Sequence, residues 1–254
     1  MSREVYFQGQ AGIIEGKLHD GTQGGFHDPS APTVLVLHPD PLAGGTMNNK
    51  VSYTIFKAFA DAGFNTLRIN FRGVGRSKGN LNDFLKHPEQ AGISDASAAI
   101  DWLHDQYPST SHYWIAGFSF GSWIAMHMLM RRPEVEGFVA VAPPASNRSF
   151  SFIDPCPVSG IFVQPEKDSI ARLEDVDKMI KGLDYSDATV DYKIIPNADH
   201  FFQNYKNPSV NYLDQLYETI FDFINIRLAT RISKPIRKKR RRRKKKDEFG
   251  QDEF

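Results

Sequence analysis

Thr33-Val34-Leu35-Val36-Leu37-His38 is an unbroken β-branched and aliphatic run, and it narrows the possible folds more than any other stretch. A strand with one wet face alternates apolar and polar side chains. A strand without that alternation is buried on both faces, as in a parallel sheet covered by helices. Further buried strands are read at 65–71, 112–116, 137–142 and 158–163, with a last strand at 190–195. Between them lie segments of helical spacing: Val51, Ile55, Phe56 and Phe59 in one, and Ala96, Ala99, Ile100 and Leu103 in the next. A helix is expected over 171–183. A final one over 208–228 carries Leu213, Leu216, Ile220, Phe223, Ile224 and Leu228 as one apolar stripe. Val5–Phe7 and Ile13–Leu18, with Gly9 and Gly12 between, read as an antiparallel hairpin. Strand and helix thus alternate from 33 to 228, which predicts a three-layer α/β/α sandwich with a mostly parallel sheet and that hairpin at its edge.

The chain has 254 residues, enough for one such domain with a large core. No run approaches the ~20 apolar residues of a membrane span, and Met1-Ser2-Arg3-Glu4-Val5 has no apolar signal region. A soluble, cytoplasmic protein is expected. The single cysteine, Cys156, excludes an internal disulfide and fits a reducing compartment. In Asp154-Pro155-Cys156-Pro157 it reads as a small buried side chain rather than a nucleophile.

The formal net charge of +1 hides a division. Residues 231–254 hold 12 Lys/Arg and 4 Asp/Glu, which leaves residues 1–230 with a net charge of −7. The body, 1–230, and the tail, 231–254, are therefore separate objects. The tail has no apolar periodicity and ends in an acidic segment, so disorder is expected there. Residues 234–246 hold 11 basic side chains in 13 positions. They suit nucleic acid or an anionic surface, bound by counterion release, or form a solvated tail without a specific partner.

Gly117-Phe118-Ser119-Phe120-Gly121 lies between the strand at 112–116 and a run of helix formers that ends at Arg131-Arg132-Pro133. G-x-S-x-G in that setting has the spacing of a nucleophile elbow. Its tight turn puts Ser119 in a strained conformation with its hydroxyl projecting from the sheet, and the two glycines lack the Cβ that would collide with neighbouring backbone. The alternative is that Ser119 merely caps the helix.

Reactive groups in such a sheet gather at the carboxyl ends of its strands. Of eight histidines, His200 lies just past the last strand, while His38 falls beside the loop expected to stabilise an oxyanion. The loop after 158–163 offers Asp168 and Glu166 as the orienting acid, with Asp168 preferred; Asp199 is too close in sequence to His200. The order Ser119, Asp168, His200 is that of a hydrolase triad. The N–H of Phe120 supplies one oxyanion donor. Pro39 and Pro41 have none, so Asp40 is the first donor available in the loop after 33–38, with Leu42 next. No cofactor or metal is expected. The glycines of Arg72–Gly79 follow G-x-G-x-x-x-G with no helix directly after them.

Taken together, His38-Pro39-Asp40-Pro41, Gly44-Gly45-Thr46-Met47-Asn48-Asn49, Asn70–Ser77, Gly117–Gly121 and Ala198-Asp199-His200-Phe201-Phe202 resemble the α/β-hydrolase superfamily. Within it the chain is similar to the small lid-less branch near the dienelactone-hydrolase-like proteins. The resemblance covers residues 4–228. It implies that the acid lies three residues after a glycine ending its strand, which falls on Asp168, although Pro165 stands in that glycine's place. Relatives commonly carry a second histidine where this chain has Asp40, and dienelactone hydrolases use cysteine at the elbow, so lactone specificity does not carry over. The function implied is a serine hydrolase that cleaves an ester, thioester or similar acyl bond of a small molecule through an acyl-enzyme. The rival is a non-catalytic binding or scaffold protein whose basic tail carries the function.

Overall fold

The structure, a computed structural model, describes residues 2–185, 188–207 and 209–232. The basic segment 234–246 lies outside the described residues. The chain opens with a hairpin, β1 (Arg3–Gly9) and β2 (Gly12–His19), in which Phe7 opposes Ile14 and Val5 opposes Gly16. A small ribbon, β3 (Thr22–Gln23) and β4 (Phe26–His27), decorates the following loop. The alternating part then runs β5 (Thr33–Leu37), α1 (Lys50–Asp61), β6 (Asn65–Ile69), α2 (Asp83–Lys86), α3 (Pro88–Gln106), β7 (Tyr113–Phe118) and α4 (Phe120–Leu129). It continues β8 (Val135–Val141), β9 (Gly160–Pro165), α5 (Leu173–Gly182), β10 (Val190–Ile195) and α6 (Leu213–Ile232).

The main sheet has eight strands in the order β1-β2-β6-β5-β7-β8-β9-β10. β1 with β2 and β2 with β6 pair antiparallel; every later pair is parallel. Every residue of β5, β6 and β7 is buried, as unbroken apolar runs require when helices cover both faces. One apolar cluster joins the sheet to α3, α4 and α5, and the other joins it to α1 and α6. In α6 the stripe faces inward, with Leu216, Ile220, Phe223 and Ile224 buried. Cys156 is buried as read from its context, and burial pushes its thiol upward.

Strand ends shift by a residue or two from the sequence reading, β8 and β9 among them, and two helical stretches differ more. The stretch 80–92, read as a polar connection, contains α2 and the start of α3, because Pro88 occupies the first helical turn, where its missing N–H costs nothing. α6 starts at Leu213 rather than 208 and runs to Ile232, past the 228 expected. No α-helix is formed between β8 and β9; a 3-10 turn at Ser151–Ile153 interrupts an otherwise irregular crossover.

The glycine-rich loop after β6 is a structural clamp. Arg72 donates from Nε and Nη2 to Asp95 Oδ1 at 3.0 and 2.7 Å, and its backbone N–H reaches Asp95 Oδ2 at 2.8 Å. Asn70 Nδ2 and the Arg76 N–H both donate to Glu15 Oε2 at 2.8 Å, which ties the loop to β2. These groups are occupied by one another, so the loop offers no cradle for a phosphate. Asp95→Ala leaves the buried Arg72 charge with only the more exposed Asp83 carboxylate, 3.3 Å from Nη1, and is expected to cost about 3 kcal/mol in urea unfolding. The double variant Arg72→Met/Asp95→Leu should recover most of that loss. Equal losses in the two variants would contradict the reading.

Candidate active site

The elbow is built as its glycines require. A Cβ on Gly117 would stand 2.3 Å from the Gly121 carbonyl group, and one on Gly121 would stand 2.4 Å from the Leu37 carbonyl oxygen. α4 therefore approaches β7 and β5 as closely as backbone allows. Ser119 adopts φ 53° and ψ −119°, a conformation costing a non-glycine residue about 1–3 kcal/mol. Its N–H donates to Val141 O at 2.9 Å, which holds the turn against β8. The Ser119 hydroxyl makes no capping bond to α4; it is turned the other way.

It meets His200. The His200 Nε2 to Ser119 Oγ distance is 3.1 Å, and His200 Nδ1 lies 2.6 Å from Asp168 Oδ2. A carboxylate only accepts, so Nδ1 carries the proton and Nε2 is the acceptor facing the serine hydroxyl. The Asp168 side chain is fully buried. Its second oxygen accepts from the N–H groups of Ile170 and Ala171, both at 2.8 Å. Two backbone donors hold the carboxylate, and the carboxylate holds the imidazole. The other two acids serve turns. Glu166 is half-buried and accepts from Asn197 N–H at 2.8 Å and Lys167 Nζ at 3.0 Å, which keep its carboxyl below the usual range. Asp199 Oδ1 accepts from the N–H groups of Phe201 and Gln203 at 2.9 Å.

The loop after β5 lies across from this group. A 3-10 turn at Pro41–Ala43 is capped by the Asp40 carboxylate, which accepts from Leu42 N–H at 2.8 Å. That bond occupies the Leu42 donor and anchors the Asp40 side chain on its own turn. Among the described residues, no hydrogen bond engages the N–H of Asp40 or of Phe120. The Asp40 N–H shares its peptide with the Pro39 carbonyl, and His38 holds that carbonyl. His38 Nδ1–H donates to Pro39 O at 2.6 Å, and Nε2 accepts from Phe71 N–H at 3.1 Å. The ring is buried, and burial lowers it to about 4 despite the opposing Pro39 bond. A neutral imidazole thus bolts the peptide of Asp40 to the end of β6.

Ser119, Phe120, Asp40 and His200 line one cleft of about 280 Å³, together with Gly45, Asn49, Asn147, Arg148, Ile170 and Phe201 among others. The structure brings these four sequence candidates into one cleft, whose other walls were not among the candidates. Ile170 and Phe201 are half exposed at the rim. Asn147 and Arg148 come from the irregular β8–β9 crossover, which carries no motif and no apolar period. A neighbouring hollow of about 430 Å³ shares Asn49 and Phe201 but is otherwise lined by Lys50, Gln203, Asn211 and similar groups, without a nucleophile and base. Among the described residues, no cluster of His, Cys, Asp and Glu has metal-ligand geometry, and no helix is long and apolar enough to cross a membrane.

A nucleophile-like serine on an elbow, a carboxylate-held imidazole and a largely parallel sheet define a class, and comparison with known proteins agrees. The family model for the alpha/beta hydrolase fold matches residues 32–252. The chain belongs to the alpha/beta hydrolase family, and a hydrolase is the activity that fold supports. It is 44% identical over 205 residues to the uncharacterized protein RP471 of Rickettsia prowazekii, which covers 79% of this chain and 82% of that one. A crystal structure of a protein of unknown function from Agrobacterium tumefaciens, provisionally assigned to the alpha/beta hydrolases, superposes with a TM-score of 0.79 at 38% identity. That match covers 90% of this chain and 97% of that chain. A member of the serine hydrolases without a lid from Xanthomonas campestris gives a TM-score of 0.74 at 25% identity, covering 89% and 94%. These matches sit at the level of the superfamily, one step coarser than the dienelactone-hydrolase-like branch named from the motifs.

His38 makes a prediction about pH. Its imidazole ordinarily titrates near 6.5 and is lowered to about 4 in the fold. Between those values the unfolded chain binds the extra proton, so its contribution to stability is full above pH 6.5 and lost as pH falls toward 4. The contribution is on the order of 3 kcal/mol over that window. Urea unfolding at pH 7 and pH 4 should show the gap between wild type and His38→Gln shrinking by about that amount. Parallel pH dependences in the two proteins would contradict the assignment.

Proposed function

We propose that the protein is a serine-dependent acyl hydrolase that cleaves an ester, thioester or similar acyl bond through an acyl-enzyme at Ser119. The observation that carries this reading is the continuous hydrogen-bonded line from Asp168 through both ring nitrogens of His200 to Ser119 Oγ. In the proposed reaction His200 Nε2 takes the hydroxyl proton as Ser119 Oγ bonds to the carbonyl carbon. The carbonyl oxygen gains the negative charge, and the free N–H groups of Phe120 and Asp40 are the donors for it. Collapse of that intermediate breaks the bond to the leaving alcohol or thiol, which receives the proton from His200. Water then repeats the sequence on the acyl-enzyme and releases the acid, restoring Ser119. Asp168 keeps the proton on Nδ1 and stabilises the imidazolium in both halves.

The reading also uses the strain at Ser119. A turn held at φ 53° aims the hydroxyl at solvent in the cleft while α4 begins beneath it, so the helix N-terminus faces the charge that develops. A scaffold protein would not need the serine in this conformation, since a helix cap is reached without it.

Triad members act as a unit. Ser119→Ala and His200→Ala should each remove nearly all hydrolysis of a p-nitrophenyl ester, with circular dichroism and melting temperature close to wild type. Asp168→Asn should lower kcat by on the order of 10⁴, because it permits the wrong tautomer, while Glu166→Gln should change kcat by less than about threefold, its carboxylate lying outside the line. Turnover like wild type in purified Ser119→Ala would overturn the proposal, and a large loss confined to Glu166→Gln would reassign the acid.

A further inference from the structure

Arg148 is the feature of the cleft that the proposed chemistry does not use. It projects from the short crossover between β8 and β9 into the cleft that holds Ser119. Its backbone is fixed at two points: Arg148 N–H donates to Pro144 O at 2.9 Å, and the Trp123 indole N–H donates to the adjacent Ser149 O at 3.1 Å. The guanidinium lies over the Trp123 ring at 4.7 Å and over the Phe120 ring at 5.8 Å. Phe120 directly follows Ser119, and Trp123 is one turn further along α4. The charge is therefore parked on the first turn of the helix that carries the serine.

The guanidinium has no carboxylate partner among the described residues. Arg72 pairs with Asp95, Arg76 with Glu4, Arg131 with Glu89, Arg132 with Asp101 and Arg172 with Asp175; Arg68 and Arg227 lack a carboxylate but donate to the carbonyls of Met47 and Thr189. The acids that could neutralise Arg148 are engaged elsewhere. Asp175 is taken by Arg172, and Asp154 accepts from Asp184 N–H at 2.8 Å, although both border the hollow on the other side of Arg148. Asp40, the carboxylate within the same cleft, caps its own turn. Stacking on two aromatic rings occupies the flat face of a guanidinium and leaves its in-plane N–H donors available. Those donors match a carboxylate in bidentate geometry.

We infer that Arg148 is a specificity-determining residue that binds a free carboxylate on the substrate, so that the preferred compound is an ester or thioester carrying a second, ionised carboxyl group. This rests on the acyl-hydrolase reading of Ser119. The rest of the cleft agrees with a small, polar-ended substrate: Asn49 and Asn147 add neutral polar groups, while Ile170 and Phe201 supply an apolar rim for the intervening methylenes.

The test compares p-nitrophenyl hemiglutarate with p-nitrophenyl butyrate, whose acyl chain is neutral. Wild type should favour the hemiglutarate, and in Arg148→Gln the ratio of the two kcat/KM values should fall by about 10–10², the worth of a charge-assisted pair. Arg148→Lys should recover part of the ratio but not all, because an ammonium lacks the planar fork. A butyryl ester of 4-hydroxybenzoate carries the carboxylate on the alcohol instead, and whichever anionic ester loses its advantage in Arg148→Gln shows on which side Arg148 reads it. Binding without turnover separates this inference from the hydrolase reading. Calorimetry of monomethyl glutarate with Ser119→Ala should give an affinity at least tenfold above that for Ser119→Ala/Arg148→Gln. Arg148-dependent binding without hydrolysis of any ester would keep the anion site and sink the hydrolase. A wild-type preference for neutral p-nitrophenyl butyrate over both anionic esters, or equal affinity in the two serine variants, would overturn the role of Arg148.

Discussion

The site depends on the close backbone approach of α4 to β7 and β5, at Gly117 and Gly121. A Cβ on Gly117 would push the Gly121 carbonyl of α4 away from β7, and a Cβ on Gly121 would push α4 away from the Leu37 carbonyl of β5. Ser119 would then lose both its strained turn and its 3.1 Å approach to His200. The strain is stored only because the surroundings over-determine it. Ser119 N–H is tied to β8, its flanking residues belong to a strand and a helix that are buried on every side, and the sheet beneath has no exposed edge nearby.

The same economy governs the polar groups. Two histidines of the site carry their proton on Nδ1, and in both the partner of that proton dictates what Nε2 can do. Asp168 leaves His200 Nε2 open to the serine hydroxyl. Pro39 O leaves His38 Nε2 to accept from Phe71, and in doing so sets the peptide whose other end is the Asp40 N–H. One imidazole faces the reacting group and the other faces the scaffold. Around them the donors that already have acceptors, such as Leu42 N–H, are separated from those that do not, Asp40 and Phe120.

What could be read from the sequence was what has a period or a fixed spacing. The unbroken runs at 33–38 and 112–116 correspond to the fully buried strands β5 and β7, and the stripe on α6 faces the core. The elbow is legible because only one backbone geometry suits two glycines around a serine between a strand and a helix. Asp168 and His200 were legible through the rule that strand ends converge, although the choice between Asp168 and Glu166 needed the coordinates. Their positions differ by two residues in one loop, and only the fold shows that Asp168 turns inward while Glu166 clamps Asn197. Arg148 was invisible because an irregular crossover has no period, and its neighbours Trp123 and Phe120 read as core. α2 was missed for a related reason: a four-residue helix is too short to show a stripe. The role of His38 was half legible, since its place beside the oxyanion loop is a matter of order along the chain, whereas its bond to Pro39 is not.

The central claim is that Ser119 is a nucleophile raised above helix-cap duty by His200. A fluorophosphonate probe reacts only with a serine so activated, and intact-protein mass spectrometry followed by peptide mapping reads the result. Wild type is predicted to gain one adduct, on the peptide holding Ser119, within minutes at pH 7.5, while Ser119→Ala gains none. A folded wild-type protein that stays unmodified, or an adduct of equal yield in Ser119→Ala, would contradict the account.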